Sequence, residues 1–505
     1  MASWRRFISA KCVKWIRVSI LAGVVIVLVN IFLIQTGTPT TKIVDRIFLP
    51  LPNGKEDTIM SKNTVSWKTL PKLVSNLSTQ SSQTDPVKLD MELKLKESCA
   101  ERITEMDHGI VLFKNVTIRP KLARAKVLET RLEHPQEEDE FFKLDKGFFT
   151  MYCGPDFEAA KMKLHKSHEN DALTSWVLAF EAVSPSVLRL QEENKTFQAG
   201  KYLAVQRVEY ANVYWTVIDL LDIFITADLL GVTPDKLNII LMDAHPPTQL
   251  DPFWSVLFQK LIRLGVDDNL TKFSNVVFER LTWRYPRMHC PLLNHGLESY
   301  HLIQPFRKFV LKRFDIPSES HQRNCSTLKL HVLVNFRRNY QSHPRNLDGT
   351  VDRKIANEND VLKDINTTFP GITLTASQLD ALPLKKQLEL VASADIFFGM
   401  HGAAHAYPIF MPPGGAVVEM FNFNSGNWHM GKIATLAGHS HVTWTLTDRG
   451  AYDTVNRTST IPKGIPSDLI RKAIKNICGL VISGANKTFT SEGKIDNNKK
   501  GPAQF

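Results

Sequence analysis

Residues Met400 to Phe410 read M-H-G-A-A-H-A-Y-P-I-F, directly after the apolar run Ala394 to Gly399 and shortly before Gly415-Ala416-Val417-Val418-Glu419-Met420. A strand that delivers a His-Gly turn, a small-residue segment that opens a helix, and a second strand that ends at a carboxylate outline an α/β nucleotide site. Gly402, Ala403 and Ala404 carry little or no side chain. A ligand can therefore approach their backbone N–H groups, which together with a helix dipole suit a diphosphate. His401 begins the turn, and Glu419, at the carboxyl end of its strand, is placed to accept hydrogen bonds from ribose hydroxyls. Small residues serve equally for a close strand-to-helix crossing, with His401 a satisfied turn histidine, so this segment alone leaves binding and packing both open.

Three further segments carry candidate chemistry. Arg337 and Arg338 follow an apolar run in V-N-F-R-R-N-Y, and Arg345 follows in S-H-P-R-N. Guanidinium groups at a strand's carboxyl end can chelate phosphate bidentately, although a solvated basic loop has the same composition. In L-M-D-A-H-P-P, Asp243 and His245 come where a catalytic or acceptor-side group of a first domain belongs; a turn role for Asp243 before the prolines is equally open. R-V-E-Y-A-N-V-Y-W-T-V-I-D adds Arg207, Glu209, Asn212 and Asp219. Asp219 falls inside a long apolar helix, where an acid is costly unless partnered, which points to function or to a buried arginine contact. His401 and His405 have a spacing seen in zinc sites, yet no C-x-x-C accompanies them, so no metal site is expected.

The elements that must hold these residues alternate. Lys201–Val208 reads as a strand, Asn212–Leu230 as an apolar helix closed by Gly231, and Leu237–Met242 as a buried strand. Leu328–Phe336, a helix near Leu384–Ala394, and strands at Asp395–Gly399 and Ala416–Met420 repeat the alternation. Two βα-alternating halves imply an α/β protein of two doubly wound, Rossmann-type domains facing a cleft, over 87–300 and 301–482.

The N-terminus bears on the compartment. Val18 to Ile34 is almost wholly apolar and is preceded by Arg5, Arg6, Lys11, Lys14 and Arg17 without an acid. Such a run sits near the lower edge of the roughly 17–25 residues that cross a bilayer, and its basic flank stays cytoplasmic. The organisation is then a tail (1–17), a signal anchor (18–34), a flexible Ser/Thr/Asn/Pro-rich stem (35–86), the two domains, and a polar tail (483–505). Sequons at Asn76, Asn115, Asn194, Asn269, Asn324, Asn366, Asn456 and Asn486 agree with lumenal exposure. Cys99, Cys153, Cys290, Cys325 and Cys478 follow the anchor; five is odd, so one or two disulfides and at least one free thiol are expected, with connectivity open. The net charge of +11 is partly the anchor flank, and the remaining cations are interspersed with acids, which argues against nucleic acid as partner.

The ordered set R-x-E-Y-A-N-x-Y, M-D-x-H-P, F-R-R-N-Y-x-x-H-P-R, N-E-x-D-V and H-G-A, spread from Arg207 to Glu419, resembles the family 61 glycosyltransferases. Within that family the run Phe336 to Val361 is most similar to the N-glycan core β1,2-xylosyltransferases. The resemblance implies a GT-B-like fold and an inverting transfer of xylose from UDP-xylose to the 2-hydroxyl of the core β-mannose, by a single-pass type II Golgi membrane enzyme. It departs at Ala404 and His405, where the family usually has Gly and an aliphatic residue, and at Trp215, where His is expected. An inverting transfer needs a base for the acceptor hydroxyl, with Asp243, Asp219 and Glu209 the candidates in that order. No D-x-D occurs in the chain. Its lack favours stabilisation of the departing UDP by Arg337, Arg338, Arg345, His401 and helix amides, with Glu419 on the ribose and Asn212 and His245 on the acceptor side, and without an essential divalent metal. A protein O-linked GlcNAc transferase of the same family, and a catalytically inactive membrane-anchored glycan-binding protein, are the alternatives.

Overall fold

The computed structural model describes residues 99–479 apart from 106–109, 131, 133–135, 168–172, 185, 187–197, 208, 265–270, 279–301, 319–322, 341–345, 347 and 423–428. The tail, the apolar run 18–34, the stem, the segment 483–505, Cys290, Arg345 and the sequons at Asn76, Asn194, Asn269 and Asn486 lie outside the described residues. Among the described residues no helix is long and apolar enough to cross a membrane.

The first sheet comprises β1 (Ile103–Glu105), β2 (Val111–Ile118), β3 (Phe149–Met151), β4 (Phe180–Ala182), β5 (Gln198–Val205), β6 (Leu237–Leu241), β7 (Lys260–Arg263) and β8 (Thr271–Phe278), in the order β4-β3-β2-β8-β5-β6-β7 with β1 beside β2. The run β8-β5-β6-β7 is parallel, as the alternation predicts, but β2 is antiparallel to β1, β3 and β8. A purely doubly wound first domain is thereby corrected to a mixed sheet. Glu105 and Val111 leave too few residues between them for a parallel crossover, so β1 and β2 can pair only as a hairpin.

The second sheet is parallel throughout: β9 (His331–Asn335), β10 (Thr373–Ser377), β11 (Ile396–Met400), β12 (Ala416–Phe421) and β13 (Ser440–Thr445), ordered β10-β9-β11-β12-β13. β11 and β12 are buried along their whole length, which is why they read as unbroken apolar runs. In chain order the strands run 2-1-3-4-5, so the direction of winding reverses between β9 and β11. Ligands of such sheets bind outside the carboxyl ends at that reversal.

Helix α1 (Val213–Leu229) joins the two halves. Asn212 caps it, its side chain accepting from the Tyr214 N–H at 3.0 Å, and Gly231 leaves it with a left-handed φ of 61°. Val217 and Leu221 of α1 share one hydrophobic core with Ala406 and Phe410 of the 3-10 helix Ala403–Phe410. Fully burying one such aliphatic or aromatic side chain is worth about 1.5–3 kcal/mol, so this seam fixes the two sheets against each other. Disulfides Cys99–Cys153 and Cys325–Cys478 staple the first and second halves respectively.

Candidate active site

A cavity of about 210 Å³ lies at the carboxyl ends of β9 and β11, at the reversal of winding. Asn335, Arg337, Tyr340, Arg353, Asp380, Ala403 and Ala404 line it from the second half, and Ala211, Asn212 and Gln249 from the first.

Arg337 leaves the end of β9 and lies against the backbone of Gly402. A Cβ at Gly402 would come within 2.0 Å of its Nη1, so only glycine leaves room for the guanidinium. The Nε donates to the Asp352 carbonyl at 3.0 Å. Burial, and then the like charge of Arg353, push Arg337 down to about 10, which still leaves it cationic at neutral pH. Arg353 holds a left-handed backbone (φ 62°), unusual for a bulky residue, and burial lowers its pKa as well. Neither guanidinium is ion-paired among the described residues, whereas the neighbouring Arg338 and Arg457 both are. Two adjacent half-buried cations on a cavity wall are costly unless an anion joins them.

Asp380, which lines the same cavity, follows β10. Burial raises its pKa against the hydrogen bonds from Tyr340 and Gln378, and its Oδ1 has no hydrogen-bond partner among the described residues. Asn335 of the cavity floor accepts from the Leu379 N–H at 3.3 Å and so fixes the turn that carries Asp380.

The structure brings Arg337, Gly402, Ala403 and Asn212 to this cavity. The remaining described sequence candidates stand elsewhere. Arg338 points to solvent in a bidentate pair with Glu358, a surface arrangement with no phosphate role visible in it. Glu419 is fully buried: its Oε1 accepts from His401 Nδ1 at 2.5 Å and its Oε2 from His441 Nε2 at 2.8 Å, so no lone pair faces a ribose. Burial would raise Glu419, but the two imidazole hydrogen bonds outweigh it and hold the carboxyl at about 2. His401 is occupied by that bond and stacks on Phe421, which makes it a brace of the β11–β12 wall rather than a wall of the cavity. His405 is fully buried too, and burial pushes it down to about 4, against the nearby Glu419 charge.

Asp243 is likewise corrected. Val205 pairs with Leu241 in the β5–β6 register, which sets Arg207 and Asp243 side by side two residues beyond. Asp243 accepts from Arg207 Nη2 at 2.6 Å, Arg207 Nε at 3.2 Å, the Arg207 N–H at 3.0 Å and the His245 N–H at 3.3 Å. Desolvation would raise it, yet the Arg207 guanidinium holds its pKa below the usual range, so it is a poor base with no open lone pair. His245 is buried between Glu140 (2.6 Å) and the Arg207 carbonyl (3.1 Å), stacked on Tyr210, and does not line the cavity. Asp219 is buried in α1, within the electrostatic reach of Arg207. Glu209 folds back on the Ala211 N–H at 3.0 Å. Of the described sequons, Asn324, Asn366 and Asn456 are exposed, while Asn115 sits half-buried inside β2 with a left-handed φ of 55°. Among the described residues no group of three or more His, Cys, Asp or Glu side chains is placed to hold a metal ion.

Arg353, Asp380 and Tyr340 escaped the sequence reading. D-G-T-V-D-R-K and S-Q-L-D-A-L-P read as polar turns, and the only signal for Asp380 was its place after a strand's carboxyl end.

Residues 240–418 match the family described as Glycosyltransferase 61, a span that holds Arg337, Arg353, Asp380 and Gly402. The chain is similar to that family over this span, about a third of its length. It is 24% identical over 270 residues to a beta-1,2-xylosyltransferase of Arabidopsis thaliana, covering 47% of this chain and 50% of that protein. It is 23% identical over 328 residues to the EGF domain-specific O-linked N-acetylglucosamine transferase of Gallus gallus, covering 62% of this chain and 56% of that one. The chain thus spans about half the length of the curated relatives it matches.

Proposed function

We propose that the chain is an inverting glycosyltransferase of GT-B architecture that transfers xylose from UDP-xylose to the 2-hydroxyl of the core β-mannose of N-glycans. The observation that carries this reading is the pair Arg337 and Arg353, two cations on one cavity wall at the winding reversal, without a carboxylate partner among the described residues. The donor diphosphate supplies the missing anion, with the backbone N–H groups at Ala403 and Ala404 beside it. As the bond to the sugar breaks, charge grows on the leaving diphosphate, and fixed guanidiniums in a site of low dielectric stabilise that charge more than the ground state. These cations take the part that a divalent ion plays elsewhere, so added metal is not required. Asn212 and Gln249, on the facing side of the cavity, are positioned for the acceptor.

Lumenal placement in the Golgi, behind a type II anchor at 18–34, is supported by the basic flank of that run and by two disulfides, which persist in oxidising compartments. The comparisons favour one second reading: O-linked GlcNAc transfer to a folded protein domain, because relatives of that activity match at the same identity as the xylosyltransferases. The test is a screen of the full chain with individual UDP-sugars and two acceptors, an N-glycan core and a folded EGF-type domain, read by product mass with and without EDTA. Xylose gain on the glycan supports the proposal. GlcNAc gain on the protein domain replaces it with the second reading, and UDP-sugar binding without turnover leaves a glycan-binding protein.

A further inference from the structure

We infer that Asp380 is the general base of the transfer, an inference that rests on the glycosyl-transfer reading above. Among the described residues it is the one carboxylate that lines the cavity. The other acids that the sequence offered stand away from the cavity lining: Asp243 is paired with Arg207, Glu419 with His401 and His441, Glu209 accepts from the Ala211 N–H, and Asp219 is buried in α1. The β9–β10 register places Asn335 opposite Ser377, so the chains leaving the two strands carry Arg337 and Asp380 out at the same edge. The base thereby stands next to the diphosphate subsite, where the anomeric carbon must lie. Its Oδ1 accepts no hydrogen bond from the described residues, although the side chain lines the cavity. Burial raises the affinity of this carboxyl for a proton, which moves it toward the working range of a base at neutral pH.

In the step itself the acceptor O–H gives its proton to the Asp380 carboxylate while that oxygen forms the new bond to the anomeric carbon. The bond from that carbon to the diphosphate oxygen breaks, and its electron pair leaves on the diphosphate beside Arg337 and Arg353. Asp380, now a carboxylic acid, releases its proton to water. Tyr340, whose hydrogen bond lowers the Asp380 pKa, is a positioning residue.

Asp380→Asn and Tyr340→Phe test the assignment in the full chain, with UDP affinity measured by calorimetry and turnover measured across pH. Asp380→Asn should lower kcat by about 10²–10⁴-fold and remove the acid limb of the pH profile, with UDP affinity within about threefold of wild type. Tyr340→Phe should lower turnover less than Asp380→Asn does and shift the acid limb to higher pH, because the carboxylate loses a donor. Near-normal kcat in Asp380→Asn overturns the assignment, as does a loss of UDP affinity with kcat retained, which would make Asp380 a ribose ligand. Should Asp380→Asn fail to fold, an unmoved acid limb in Tyr340→Phe overturns it instead. A wild-type protein that neither binds UDP nor turns over any UDP-sugar sinks the glycosyl-transfer reading as well; intact wild-type transfer beside an active Asp380→Asn sinks the base alone.

Discussion

Gly402→Ala separates a site role for the H-G-A turn from a packing role. The Gly402 backbone is extended (φ 170°, ψ 177°), so alanine brings no backbone strain. It brings volume: the new methyl would stand 2.0 Å from Nη1 and 2.9 Å from Cζ of Arg337. Contact between such atoms is comfortable near 3.5 Å, so the guanidinium must retreat by about 1.5 Å. The obstructing atoms are the far end of a flexible side chain. Rotating Arg337 off its preferred angles costs the fold about 0.5–1.5 kcal/mol. Withdrawing it from the anion costs binding about 1.5–3 kcal/mol, the worth of a hydrogen bond to a charged group, or about 10- to 150-fold in Kd. Calorimetric titration of UDP into wild type, Gly402→Ala, Arg337→Ala and the double variant measures this. The double variant should match Arg337→Ala within about 0.5 kcal/mol, because the methyl acts only through that side chain. Unchanged UDP affinity in folded Gly402→Ala would refute the diphosphate site, and strictly additive losses would show that the turn binds by a route other than Arg337.

Asp243→Asn should destabilise the fold by about 3–5 kcal/mol, since it leaves Arg207 buried and uncompensated; a wild-type urea midpoint with selectively lost turnover would return Asp243 to the catalytic candidates. Arg338→Ala removes an exposed ion pair with Glu358, worth about 0–1 kcal/mol, and should leave UDP affinity unchanged in the same titration. Glu419, held at about 2 against an ordinary 4.5, contributes stability that is fully present above pH 4.5 and is lost as pH falls toward 2. The contribution is about 3 kcal/mol, so denaturant midpoints should fall across that window in wild type and fall less in Glu419→Gln, with equal slopes counting against the His401–Glu419–His441 bridge.

Element type was legible because apolar periodicity reports it directly: α1 runs Val213–Leu229 inside the expected Asn212–Leu230, and the strands at 237, 396 and 416 begin within a residue of their expected starts. Strand direction was not legible. The alternation of V-L-F-K-N-V-T-I says that β2 is a strand but is the same read forwards or backwards, so its antiparallel insertion between β3 and β8 left no mark. The site divides along a similar line. Arg337 and Gly402 were recognisable because each follows an apolar strand at once, and the chain leaving a parallel strand must enter the crevice region. The acids misled, since an Asp just past a buried strand faces the cavity or the core according to partners that sequence distance hides. Arg207 lies 36 residues before Asp243, and His441 lies 22 beyond Glu419. A carboxylate that finds a cation in the core loses its basicity there, whereas Asp380, in a polar turn on the cavity wall, has no guanidinium paired with it among the described residues and is raised by burial. What distinguishes a base from a strut is thus the absence of a paired cation at the cavity wall, a property of the packed fold that no local run of residues can display.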